Sequence, residues 1–114
     1  MAEVTICGWI ILQSPEQFDD ALAVVALDDV TQIDSKSTRV AEVVIKPLHG
    51  VFARIPFSLR VDASAVRASS SYSLVAEIRT KRNEELSRGN FLSTAAHPWS
   101  MAGDREATIA VQRI

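Results

Sequence analysis

The sequence predicts an all-β sandwich, and three observations carry that prediction. Residues 40–62, VAEVVIKPLHGVFARIPFSLRVD, hold two runs of alternating polarity about a turn rich in Pro and Gly. Tyr72 then opens a further alternating run, YSLVAEIRT. Between these runs no stretch repeats its apolar residues at helical spacing.

The elements follow in order. Residues 4–13 are rich in β-branched and aromatic side chains, and Ser14-Pro15 is expected to close them. Alternation places Val4, Ile6, Ile10 and Leu12 on the core face, and Gly8 marks a bulge or a close backbone approach. Cys7, Trp9 and Ile11 lie on the other face, so this strand is covered on both sides or meets a partner on its outer side. In residues 21–31, Ala23, Val25 and Leu27 share a face, and Asp28-Asp29 ends the run. Residues 32–37 read as a polar loop. Alternation resumes over residues 38–46 through Val43 and Ile45, and residues 47–50 form the turn. Ile55, Phe57, Leu59 and Val61 follow on an inner face. Pro56 lacks a backbone donor, which suits an edge or a bulge.

Residues 63–68 offer one short helical turn, too short for a free-standing helix. Tyr72, Leu74, Ala76 and Ile78 then point inward. Residues 83–85 are a hairpin candidate, and residues 86–95 form a weaker strand interrupted by Gly89-Asn90. Gly103-Asp104 turns the chain into a last strand with Ala107, Ile109 and Val111 inside. About seven mostly antiparallel strands at this spacing favour a single immunoglobulin-like β-sandwich. No repeat, linker or low-complexity segment divides residues 1–114, so one domain is expected.

Composition narrows the function more by exclusion than by assignment. The chain has 114 residues, 47% of them hydrophobic, enough to bury a core without staples. A net charge of -2 gives no general attraction to nucleic acid or anionic lipid, and no nucleic-acid partner is expected. The basic cluster Arg79, Lys81 and Arg82 is followed by Glu84 and Glu85, as in a solvated hairpin end. A single cysteine excludes an internal disulfide framework. Residues 6–12 are apolar but contain Gly8, and the run is far short of the roughly 20 residues of a membrane helix. With no leader-like start, a cytoplasmic location is expected, or an envelope-anchored or periplasmic one if a leader has been removed.

Four segments resemble the YbaY/YscW-type family of small bacterial lipoproteins and type III secretion lipoprotein chaperones (pilotins). They are VTICG at residues 4–8, VALDDVT at residues 25–31, IPFSLRVD at residues 55–62 and YSLVAEIR at residues 72–79. The third is similar to the family's I-P-F-x-L-x-Y-D pattern and the fourth to its Y-x-L-x-A-x-I strand. The resemblance implies an immunoglobulin-like sandwich and no enzyme reaction. In secretion members it also implies the binding of an outer-membrane secretin.

Tyr72 has the placement of a tyrosine corner, its hydroxyl bonding back to backbone near Ala68. His49 and His97 stand in turn-like segments without a second ligand at metal spacing, which suits exposed loops. The alternatives for the function are an envelope lipoprotein domain whose leader has been removed, and a small hydrolase or metal protein built on these two histidines, which requires them to converge in one pocket. Asp28, Asp29, Asp62 and Asp104 read as turn caps, because no calcium-loop spacing occurs. Cys7 has no neighbouring base and is expected to be neither lipidated nor catalytic. No cofactor is expected. The leading expectation is a non-catalytic protein-binding module that holds a protein partner or a second copy of itself, with Trp9, Ile11 and Trp99 as apolar contacts.

Overall fold

The computed structural model describes residues 2–31, 38–80, 90–93, 97–103 and 105–113. Their strands are β1 (Glu3–Asp29), β2 (Thr38–Asp62), β3 (Tyr72–Arg79), β4 (Phe91–Ser93), β5 (Pro98–Trp99) and β6 (Glu106–Arg113). A single 3-10 turn, Ala63–Ala65, follows β2. The all-β class is as the alternation predicts.

β1 and β2 run antiparallel along their full lengths, from Glu3 opposite Asp62 to Asp29 opposite Thr38. The other edge of β1 serves two partners. Its residues 7–11 lie parallel to β6, and its residues 22–29 lie antiparallel to β3. Because β4 pairs with both β3 and β6, the strands β1, β6, β4 and β3 close a small barrel-like ring. β2 lies outside that ring along β1, and its far edge pairs with no described strand.

The first four expected strands are therefore two long, bent ones. The expected ends at Ser14-Pro15 and at residues 47–50 are irregularities in register between Ile11 and Glu16 and between Phe18 and Ala23. Bulges of this kind turn a strand at a barrel corner while keeping its neighbour. Asp20 at φ 62 and Gly50 at φ 114 supply backbone conformations that most residues avoid. The hairpin candidate at residues 83–85 and the loop at residues 32–37 lie outside the described residues.

One hydrophobic cluster draws side chains from every strand. Ile6, Ile10, Val25, Leu27, Ile55, Phe57, Leu59, Tyr72, Leu74, Ile78 and Ile109 are buried in it as expected, and Val43 packs against it partly buried. Phe18 is an addition from the corner of β1, with its ring edge-on to Phe91 at 5.8 Å and tilted against Phe52 at 6.2 Å. Such pairs add to the area each ring buries.

Local bonds fix the connections. The Arg67 backbone N–H donates to the Tyr72 hydroxyl at 2.7 Å, so Tyr72 anchors the link between β2 and β3. Asp62 caps the 3-10 turn by accepting from the Ser64 N–H at 3.0 Å and its hydroxyl at 2.8 Å. The buried Asn90 carboxamide oxygen accepts from the Thr80 N–H at 2.9 Å, tying the end of β3 to the start of β4.

Candidate functional site

The outer face of the first arm is built by three strands in register. Across it stand Ser58, Cys7 and Glu106, then Pro56, Trp9 and Thr108, then Arg54, Ile11 and Ala110. Period-two alternation turns all of these away from the core, into which Ile6, Ile10 and Ile109 point. Trp9 sits at the centre with 38% of its surface exposed. The Arg54 guanidinium covers one side of its ring, 4.4 Å from the centroid. An open depression of about 550 Å³ spreads beside the ring, bordered by Cys7, Pro56, Glu106 and Thr108.

The backbone explains why this face differs from the edge next to it. The Cys7 N–H donates to the Arg105 carbonyl at 2.8 Å, so Cys7 turns its peptide groups toward β6. By alternation Trp9 does the same, and its β2 partner Pro56 turns its own backbone to the free edge. The missing donor of Pro56 thus falls where an incoming strand would need it. Nature blunts edges in this manner. The Trp9 face is exposed beside an edge that Pro56 interrupts.

The sequence-expected residues separate here. Trp9 and half-buried Ile11 share the face, on neighbouring positions of β1. Trp99 does not join them. It pairs with Tyr72 and is 7% exposed within the core, so its surface is closed to a partner. His49 and His97 also stay apart. His49 lies at the strand corner with Nδ1 3.2 Å from Asp19, both side chains exposed. His97 lies beside the start of β3, where its carbonyl accepts from the Leu74 N–H at 2.9 Å and its N–H donates to the Ser73 hydroxyl at 3.3 Å. The pocket that a hydrolase or metal protein would need from this pair is not formed by them. Among the described residues no group of three or more His, Cys, Asp or Glu is placed to hold a metal.

Cys7 is exposed on the face, its thiol 3.8 Å from the Ser58 hydroxyl. Asp29 and Asp62 are the acids whose environment lowers their pKa. In Asp29 the Thr31 hydroxyl is the main cause, and in Asp62 it is the Ser64 backbone N–H. Both are turn caps at the strand ends and neither borders the depression.

A profile for the type III secretion system lipoprotein chaperone family, YscW, matches residues 1–110. The chain belongs to that family. The resemblance read from the four sequence segments to YscW-type proteins is borne out. The solved structure of an alternative pilotin from the type II secretion system of Vibrio cholerae has the same fold. It superposes with a TM-score of 0.75 over 99% of this chain and 98% of that one, at 18% identity. No curated protein matches the sequence. None of the helices of the described residues is long and apolar enough to cross a membrane.

Proposed function

We propose that this chain is a non-catalytic protein-binding module with a chaperone- or pilotin-like role in secretion, acting at the cell envelope. On this reading residues 1–114 are one domain, a variant of the immunoglobulin-like sandwich in which β1 and β2 serve both halves. The client segment lies on the outer face of the first arm, against Trp9 and Ile11. The observation that carries this is the exposed Trp9 ring, held by Arg54 beside an open depression on an arm whose edge Pro56 blunts. An aromatic ring with a polar rim is the usual anchor of a protein interface. The family's description as lipoprotein chaperones supports the envelope over the cytoplasmic location expected from the sequence.

Trp9→Ser tests the surface. Affinity capture from the native host, with mass spectrometry, should show a secretion component held by the wild type and lost from the variant. The melting transition should stay nearly unchanged. A large fall in stability together with the loss of binding would show that Trp9 supports the fold, and the interface would have to be sought elsewhere.

A further inference from the structure

The second arm of β2 presents an edge unlike that of the first. The Val30 N–H donates to the Ser71 carbonyl at 2.8 Å, so Val30 turns its backbone toward the β3 side. Counting back by twos, Asp28, Ala26 and Val24 do likewise, in continuous register with β3. Their β2 neighbours obey the complementary rule. Glu42 opposite Ala26 and Val44 opposite Val24 turn their N–H and carbonyl groups away from β1, to the free edge. Lys46 follows two residues after Val44, on the same exposed side, at the register shift that precedes Leu48. This stretch has no proline, is rich in β-branched residues, and leaves Val44 45% exposed. Open backbone groups beside exposed β-branched side chains are a template for another strand.

We propose that this edge pairs with the same edge of a second copy of the chain, antiparallel about a two-fold axis at Val44. In that register Val44 stands opposite Val44 of the second copy, and the two valines exchange both backbone hydrogen bonds. Glu42 stands opposite Lys46 of the second copy, and Lys46 opposite its Glu42. Opposite charges directly across a ladder favour the pairing. Sliding the strands by two residues sets Glu42 or Lys46 against Val44, and sliding them by four sets Glu42 against Glu42 one way and Lys46 against Lys46 beside Pro47 the other. Only the Val44-centred register makes both contacts attractive. Glu42 already accepts from Arg39 of its own chain at 3.1 Å, and its second oxygen is available to the new lysine. The dimer extends the sheet from one copy into the next and leaves the Trp9 face of each copy open.

Sedimentation velocity on the full chain, from micromolar to submillimolar concentration, tests this. The wild type should convert from monomer to dimer across that range. Lys46→Glu sets like charges opposite at both contacts and should weaken the dimer by about tenfold or more. The exchanged double variant Glu42→Lys/Lys46→Glu should restore it, which a merely damaged fold would not do. Trp9→Ser should leave dimerisation unchanged. A wild type that stays monomeric at every concentration overturns the proposal. So does a Lys46→Glu variant that dimerises as the wild type does, or a dimer that Trp9→Ser abolishes.

Discussion

Gly8 lies directly against the carbonyl of Ala107, so that a Cβ at Gly8 would overlap that oxygen. The two residues are register partners in the parallel pairing of β1 with β6, which closes the barrel-like ring. A neighbour of this kind is backbone and cannot rotate away. Gly8→Ala must therefore push β6 off β1 or bend β1 itself. The expected cost is about 3 kcal/mol, the upper end for overpacking, seen as a fall in melting temperature of roughly 10–20 °C. A variant as stable as the wild type would mean that the strands separate at little cost.

The corner of β1 gives the next prediction. Phe18 is 2% exposed and touches both Phe52 and Phe91, although it sits in the polar run SPEQFDD. Phe18→Ala should cost about 3–5 kcal/mol in urea denaturation, as much as Phe57→Ala in the middle of β2. A loss below about 1 kcal/mol would place Phe18 outside the cooperative core.

Phe18 also shows what could be read from the chain. Alternation identified Ile6, Ile10, Ile55, Leu59, Leu74 and Ile109 because in a regular strand every second residue faces the core. A bulge adds a residue and breaks that period, so beyond Ser14-Pro15 no alternation marks Phe18 as a core residue. The burial of Trp99 is hidden from the sequence for a related reason. β5 has two residues, too few to show a period, and only its pairing with Tyr72 turns the ring inward. The surface fared differently. Trp9 could be found as an aromatic residue on the wrong side of a strong alternation, but the blunting of its edge depends on which way the Cys7 backbone faces. The free edge at Val44 depends on the pairing order of the whole sheet, which no local pattern contains.

The capping acids set a pH dependence. Asp62 is held below its ordinary pKa of 3.8, first by the Ser64 backbone N–H and then by its hydroxyl. A carboxylate with a depressed folded-state pKa stabilises the fold above its unfolded value, and the contribution is lost as pH falls through the folded value. The window is therefore below 3.8, and Asp29 adds to it through Thr31. Carboxyl NMR titration should find Asp62 half-protonated below 3.8 in the folded protein. In Asp62→Asn, whose side chain still accepts the Ser64 bonds, the decline of stability in that window should be shallower. An unshifted Asp62 titration would show that the cap does not persist in solution.

The last prediction concerns the one cysteine. Lipoprotein maturation leaves the lipidated cysteine as the first residue of the mature chain. Cys7 is an interior position of β1, with Ser58 on one side and Glu106 on the other. Cleavage before it would remove Ile6, which is fully buried, and Val4, which packs against the core. It would also replace the Cys7 N–H that donates to Arg105 with a charged or acylated terminus. Losing a buried isoleucine alone costs about 2–5 kcal/mol when it is truncated to alanine, and losing the strand end costs more. Cys7 should therefore be recovered from the native host as an unmodified thiol, with Val4 and Ile6 still attached. Its exposed Sγ should react with a thiol reagent in the folded state. Intact-mass analysis decides the point: a diacylglycerol adduct on Cys7 would mean that the first arm assembles without Val4 and Ile6, and the envelope association would then rest on this cysteine.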